Sequence, residues 1–599
     1  MKIKVAKYIS EFLVRNGITD CFMVTGGGAM HLDDAIGHQD GLHCIFNHHE
    51  QASSIAAEGY TRMTRKLAAV CVTSGPGGTN AITGVMGGWL DSIPMLILSG
   101  QVKRETTIWS CPELNLRQLG DQEFDIIHSV SNMTKYAVMI TNPQEIAYHL
   151  EKALFLATNG RGGPVWLDIP LDVQGAMVET DELIHFDSSI EKPWQVSEVS
   201  AETINSIVEK IKKAKAPLFL AGTGIRLGNA ESELLAVLDK FKIPVVTAWN
   251  ANDTVAFENP YFAGMPGTVG TRPGNFSVQN CDLLISLGCR LNIRMIGYNH
   301  YDFAKHAYKI IVDIDARELA KPTIKVDMPV NADVKDVLTK LLQVEYTPNI
   351  EHKKWVDWCR NLVVKYPATL AEYHSDDKLI NPYVFMDNLF NNLSADDRII
   401  CGNGSACVIT FQACKIKQGQ RMFTNSGCAA MGYGFPASVG VAVADNSKRT
   451  ICLDGDGSVM MNIQELATVA HNKLNIKLII LNNNGYHSIR QTQKNLFKPP
   501  FIGIDSDSGL SFPDFQKLAD AFDIPYYQLD SEKSCDKVLT KVLAADGPCI
   551  CEVVVDPTQN FAPKSSSKVL PDGRITSPSL DDMAPFLDRA EFDSIKYLK

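Results

Sequence analysis

Short apolar runs alternate with amphipathic stretches along the chain, and the alternation restarts three times. Near the amino end Val5, Ile9, Phe12 and Leu13 recur at helical spacing among Lys7, Glu11 and Arg15, which predicts an amphipathic helix. The runs Cys21 to Thr25, Ala68 to Val72 and Met95 to Leu98 read as buried strands. Glycine loops follow the first two of them, Gly26-Gly27-Gly28-Ala29 and Thr73-Ser74-Gly75-Pro76-Gly77-Gly78. A second alternation puts strands at Pro217 to Ala221, Ile243 to Thr247, Asp282 to Leu287 and Lys309 to Asp313; a third puts them at Arg398 to Cys401, Thr450 to Leu453 and Ile476 to Leu481. Strand and helix in strict turn imply an α/β fold of three doubly wound parallel-sheet domains, expected over 1–180, 190–345 and 360–556. Linkers are expected near Val173 to Ala201 and Val344 to Lys354, and a loop-like tail over 557–599, including Pro563 to Lys568, that either closes over a site or packs on the surface.

The third alternation carries the most specific chemistry. Its strand at 450–453 meets Asp454-Gly455-Asp456-Gly457-Ser458, and the strand at 476–481 closes on Asn482-Asn483-Asn484-Gly485. In a βαβ unit both loops lie at the carboxyl edge of the sheet, where glycines let backbone N–H groups and a helix N-terminus meet a phosphate. The Asp456 carboxylate and the Asn483 amide add oxygen ligands of the kind Mg²⁺ takes when phosphates and water complete its shell.

Gly455-Asp456-Gly457, residues 458–481 and then Asn482-Asn483 resemble the diphosphate motif of thiamine diphosphate-dependent enzymes, and SVMMNIQELATVAHNKLNIKLIILNN resembles their acetolactate synthase branch. The resemblance implies a metal held by Asp456, Asn483 and Gly485, and a cofactor met by Gly455, Gly457, Ser458, Asn483, Tyr486 and Ile489. Gly404 and Ser405 would cradle the diphosphate from the other side, with Ala406 in place of a side-chain donor of the synthases. Asn425 to Gly432 resembles the segment that grips the aminopyrimidine through Cys428, with Met431 between the two rings.

In the first domain Asn47-His48-His49-Glu50-Gln51-Ala52, followed by AAEGYTRMTRK, resembles the segment around the family's glutamate. That role implies that Glu50 shares a proton with N1′ of the aminopyrimidine, favouring the imino tautomer that deprotonates thiazolium C2. Gly27, Gly28, Ser74, Gly75 and Asn80 would line the same half. His49 and Gln122 match residues near the reacting centre, whereas His48 stands where arginine is usual. Arg294 matches the arginine that meets an acceptor's carboxylate, a task suited to a bidentate guanidinium; a plain surface arginine is the alternative.

Arg161, Gly264 to Thr268, Gly288-Cys289-Arg290, Asp313-Ile314-Asp315 and Asp333-Val334 match flavin-binding segments, while Trp249-Asn250 and Asn292 do not, so the central domain is expected either to hold FAD or to be an empty scaffold. Leu171 replaces a lysine, Lys103 to Leu116 reads as an insertion at the active-site rim, and Thr492 stands where the synthases carry tryptophan.

Composition narrows the class. With 45% hydrophobic and 21% charged residues the chain reads as globular, and a net charge of −11 argues against nucleic acid or an anionic membrane as partner. Fifteen cysteines without a C-x-x-C pair are expected to be reduced, and with no signal peptide or anchor read at the amino end the expected compartment is the cytoplasm.

Three functions compete: a carboligase joining a 2-oxo acid's acyl unit to a carbonyl acceptor, a 2-oxo acid decarboxylase or C–C lyase, and a non-catalytic scaffold. Simple decarboxylases of the family carry glutamate where this chain has Ile489, which favours the carboligase; Glu50, Asp456 and Asn483 argue against the scaffold. Threonine for tryptophan at 492 points to a larger acceptor such as a ketosugar. The resemblance further implies a homodimer or homotetramer, with each site shared between subunits.

Overall fold

A computed structural model describes residues 1–191, 196–375, 378–566, 568, 569, 572 and 574–598. Residues 192–195 of the first expected linker and Ser567 of the tail lie outside the described residues. The first sheet runs, edge to edge, His43–Phe46, Asp20–Met23, Ala69–Val72, Met95–Gln101, Pro164–Pro170 and Tyr136–Met139, all parallel. Numbered within the domain, the order is 2-1-3-4-6-5. The third sheet repeats that order with Arg421–Phe423, Arg398–Cys401, Thr450–Gly455, Ile476–Asn482, Cys549–Val554 and Tyr526–Leu529. Between them lies a parallel sheet of five, Val245–Thr247, Pro217–Ala221, Leu283–Leu287, Tyr308–Asp313 and Met328–Asn331.

Apolar patterning finds the strands and misplaces some ends. Met95–Gln101 outruns its apolar stretch because the ladder with Pro164–Pro170 continues to Gln101 opposite Pro170, so polar Ser99 and Gln101 are buried in the sheet. The amino end opens with a strand, Lys2–Lys4, before the expected helix, Val5–Arg15. That strand pairs antiparallel with Met177–Glu179, inside the expected first linker. The second linker is shorter than its sequence suggests: the helix Ile350–Lys365 begins within it, capped by Asn349, whose side chain accepts from the Glu351 N–H. Trp355 anchors this helix, donating from Nε1 to the Pro217 carbonyl at 2.8 Å.

First and third domains meet along two helices, Glu50–Thr64 and Gly434–Ala444. A Cβ on Gly59 would strike the Ala437 carbonyl, and one on Gly440 the Ala56 carbonyl, so backbone touches backbone. Beside this contact Arg62, Glu58, Asp91 and Tyr433 form a buried network, with Arg62 Nη2 at 2.6 Å from Asp91 and Tyr433 Oη at 2.6 Å from Glu58.

The tail leaves the third domain and packs on the central one. Ser579 accepts from Gln279 at 2.7 Å, Leu580 covers Gly297, and Tyr597 sits against Trp355 and Trp358. Its carboxyl half, with the short helix Arg589–Ser594, is thus a surface strap.

Candidate active site

In the first sheet, loops at the carboxyl ends of the strands converge. A Cβ on Gly28 would collide with the Ser74 side chain, and Gly75, at φ +59°, faces the Gln122 carbonyl too closely for any side chain. Gly75 caps the helix Pro76–Asp91, and from the start of its second turn Asn80 donates from Nδ2 to Glu50 Oε2 at 3.0 Å. Glu50 opens its own helix and is half-buried. His49 is that helix's cap, with Nδ1 accepting from the Gln51 N–H at 3.1 Å, so one ring nitrogen is engaged. His48 is exposed. The preceding turn is tied to the third domain: Asn47 and the His48 N–H both donate to Glu465, and Asn462 donates to Gln51.

The third sheet gathers the other set. Gly404, at φ +78°, caps the helix Ser405–Ala413, and no atom stands where its side chain would be, leaving an open cradle over the helix N-terminus. Asn483 donates from Nδ2 to Ser405 Oγ at 3.3 Å. Asp456 accepts from the N–H groups of Gly457 and Gly485, each at 2.8 Å, which fastens the two loops together. A Cβ on Gly457 would enter the Tyr486 ring. Ser458 Oγ accepts from Gly432 N, next to half-buried Met431, and Cys428 lies on the same loop. Ile489 is exposed on the helix His487–Leu496, as is Thr492, whose hydroxyl turns back to the Ser488 carbonyl at 3.0 Å.

Electrostatics here call for a cation. Burial pushes the Asp456 carboxyl up to about 6, against the pull of the Gly485 and Gly457 N–H groups. Burial likewise raises Asp454, two residues earlier on the strand, to about 7. The Asn483 Oδ1 atom is buried with no partner, and so is Asp454 Oδ2. Leaving such acceptors unmet costs about 1–3 kcal/mol each. A carboxylate and an orphaned amide oxygen beside a phosphate-sized cradle suit Mg²⁺ bound to a diphosphate. Among the described residues no group of three His, Cys, Asp or Glu is placed to hold a metal, which leaves the mixed Asp, Asn and backbone set as the donors on offer.

The central domain has a cavity at the strand-order reversal between Pro217–Ala221 and Leu283–Leu287, lined by Gly224, Gly288, Arg161, Asp313 and Asp333. Gly224 and Gly288 approach so closely that neither tolerates a Cβ. Glycine backbones at such a reversal, with carboxylates at the ends of the next strands, suit a dinucleotide with ribose hydroxyls. Burial raises Asp313 to about 6, and Arg161 is paired with Asp315 at 3.1 Å and Glu318 at 2.9 Å. The two departures have local causes. Asn250 donates to the Thr424 carbonyl at 2.7 Å, bridging domains, and Asn292 caps the helix Ile293–Ile296.

Arg294 is exposed at the cavity rim, its guanidinium 5.0 Å from the Trp249 ring centre, and Trp249 stacks on Phe411 of the third domain. The stretch Lys103 to Leu116 folds as three short 3₁₀ turns pinned by Arg104 to Asp172 at 2.7 Å, presenting Trp109 and Leu114 to solvent.

Three family models match in chain order: the thiamine pyrophosphate enzyme N-terminal TPP binding domain over residues 3–128, the central domain over 204–341, and the C-terminal TPP binding domain over 402–553. Over 558 residues the chain is 30% identical to the acetolactate synthase large subunit of Lactococcus lactis, covering 93% of each chain. It is also 30% identical to the isozyme 2 large subunit of Escherichia coli, over 97% of this chain and all of that one, and to a probable large subunit of Methanocaldococcus jannaschii over 100% and 99%. The chain belongs to the thiamine pyrophosphate enzymes. It is an acetolactate synthase-like, thiamine diphosphate-dependent enzyme of acyl transfer, acting on small molecules, and its three sheets correspond to the three matched regions.

Sequence reading passed over several side chains at the edge of this thiamine enzyme's third sheet. Arg490 donates to the Asn483 carbonyl at 3.1 Å and to that of Asn484, holding the loop whose Gly485 sits at φ +131°. Its position one helical turn beyond Tyr486 was the available signal. Asp454 was visible as the first acid of Asp-Gly-Asp, but its burial was not. His487 is buried, and burial with Arg490, Lys494 and Lys564 nearby pushes its imidazole down to about 4, so it is neutral at pH 7.

Proposed function

We propose that the enzyme is a carboligase that decarboxylates a 2-oxo acid, with pyruvate the expected donor, and passes the two-carbon acyl unit to a second carbonyl compound larger than a 2-oxo acid, such as a ketosugar. Thiamine diphosphate, when bound, supplies the electron sink for decarboxylation and the nucleophilic acyl unit. Glu50, aligned by Asn80, holds and moves the proton at the cofactor's pyrimidine N1′. Asp456, Asn483 and the Gly485 carbonyl hold Mg²⁺, while Gly404, Ser405, Gly457 and Ser458 seat the diphosphate. Gly27, Gly28, Ser74, Gly75, Cys428 and Met431 shape the pyrimidine side, and Gln122 and Arg294 orient the reactants. FAD fits the central cavity as a structural ligand.

The observation that carries this reading is the helix following Tyr486: exposed Ile489 offers no acid to protonate the acyl carbanion, which favours carboligation, and exposed Thr492 does not narrow the pocket as an indole would, which favours a larger acceptor. A homodimer is the expected minimal unit, since Phe46, Trp109 and Leu114 on the first domain and Ile489, Leu496, Phe497 and Ile502 on the third remain exposed in the single chain. No described helix is long and apolar enough to cross a membrane.

The deciding experiment compares kcat/KM for pyruvate self-condensation with that for pyruvate plus ketosugar acceptors, products being identified by mass spectrometry. A clear preference for a second pyruvate or for 2-oxobutyrate would reduce the enzyme to an ordinary acetohydroxyacid synthase.

A further inference from the structure

Glu465 opens the helix Glu465–His471 of the third domain and is fully buried, and among the described residues no cation pairs with it. Neutral donors meet its carboxylate instead. Oε2 accepts from Asn47 Nδ2 at 2.9 Å and from Thr468 Oγ1 at 2.7 Å, and Oε1 accepts from the His48 N–H at 3.0 Å. Two of these donors belong to the turn that leads into Glu50, so a side chain of the third domain holds the first domain's acid by its immediate neighbours. Asn47 is braced in turn, its Oδ1 accepting from Ser53 Oγ at 3.1 Å and its N–H donating to the Met23 carbonyl at 3.0 Å. Just ahead of Glu465, Asn462 divides its amide hydrogens between Gln51 Oε1 at 2.9 Å and the Gly432 carbonyl at 2.8 Å, and Gly432 N donates to Ser458 Oγ at 3.0 Å. The stretch from Ser458 to Glu465, continuous with the Gly-Asp-Gly loop, therefore grips the neighbours of Glu50 on one side and the neighbour of Met431 on the other. Only a carboxylate suits the position: it accepts on both oxygens, whereas an amide would turn its own NH₂ toward Asn47 or toward the His48 N–H. The Glu50 carboxyl has a single amide, Asn80, to aim it, so its place follows from where the turn is set. A shift of about 1 Å at a reacting group can slow a reaction about 10²-fold.

We propose that Glu465 is a positioning residue for Glu50: by clamping Asn47 and His48 from the third domain it sets where the Glu50 carboxyl meets the cofactor's pyrimidine N1′, so that proton transfer there depends on how the two domains of one chain are docked. The inference rests on reading Glu50 as the proton-handling acid. Its test follows C2–H exchange of thiamine diphosphate by NMR in the Mg²⁺-loaded protein, cofactor affinity by calorimetry and, without cofactor, amide exchange over residues 46–52 by mass spectrometry. Glu465→Gln keeps the volume and turns a donor toward the clamp; it should slow C2–H exchange about 10-fold and speed amide exchange of the turn by a similar factor, with affinity held within about two-fold. Adding Asn47→Asp, which offers the new amide an acceptor, should restore most of the C2–H exchange rate. A lowered melting temperature with C2–H exchange intact in Glu465→Gln, or no recovery in the double variant, overturns the positioning role. Unchanged exchange in Glu50→Gln overturns the underlying reading instead. Should Glu465→Gln fold poorly, Asn47→Ala removes one donor and leaves the carboxylate in place; it should slow C2–H exchange about five-fold, and a folded Asn47→Ala protein with the parent's rate overturns the proposal.

Discussion

The first and third sheets share one strand order, 2-1-3-4-6-5, and both deliver their loops to the carboxyl edge, yet they treat acids in opposite ways. Glu50 stands half-buried at a helix start with the Asn80 amide on one oxygen. Asp454 and Asp456 are almost wholly buried, and burial lifts them to about 7 and about 6. A partly open carboxyl can exchange a proton with a ligand; a sunken one is uncomfortable when charged and is relieved by a cation. On the proposed reading the same backbone frame would serve proton movement at one edge and metal binding at the other, with depth of burial separating the two.

The sharpest way to break this contrast is Asp456→Ala. It should abolish metal-dependent cofactor binding, an affinity loss of about 100-fold or more, because an amide and a carbonyl cannot balance a diphosphate's charge. Isothermal calorimetry reads it, and intact affinity would strike Asp456 from the metal site. Glu50→Gln should do the reverse, leaving affinity within a few-fold while cofactor C2–H exchange, followed by NMR, slows by about 10²-fold. If exchange is unaltered, the first edge has no proton role. Asn80→Ala should give a weaker copy of the same phenotype, slowing exchange by about 10-fold through loss of the bond that aims the carboxyl.

The smallest effect concerns a buried acid outside both edges. Asp168 lies within the first sheet, accepting from Ser99 at 2.5 Å and Gln101 at 3.0 Å, and burial still raises it to about 7. Its folded value exceeds the unfolded one, so its contribution to stability falls as pH rises from about 4 through 7, at no more than about 1.4 kcal/mol per pH unit. Asp168→Asn should flatten the decline of melting temperature over that window and leave C2–H exchange alone. A variant with the same slope as the parent would show that Asp168 is not its source.

What could be read from sequence was local. Thr450–Gly455 and Ile476–Asn482 announced themselves by apolar runs ending in Gly-Asp-Gly and Asn-Asn, and strand ends shifted by one to three residues where ladders ran on into polar positions. The pairing of Lys2–Lys4 with Met177–Glu179, the bond from Asn80 to Glu50 and the seating of His487 against Phe561 were hidden, since each joins segments far apart in the chain and leaves no periodicity. The helix Ile350–Lys365 escaped for a different reason: its start is polar, and its buried face mixes His352 with Trp355, Val356, Cys359, Leu362 and Val363.

The backbone contact at Gly59 and Gly440 has a bearing on how the molecule comes apart. At these two points the helices meet backbone to backbone with no room for a side chain, and opening them would take Tyr433 away from Glu58 and uncover the Arg62, Glu58 and Asp91 cluster of the first domain. The first and third domains should therefore melt as one cooperative block, and either of them cut loose as a fragment would carry an unhealed, charged wound along a helix built to be covered.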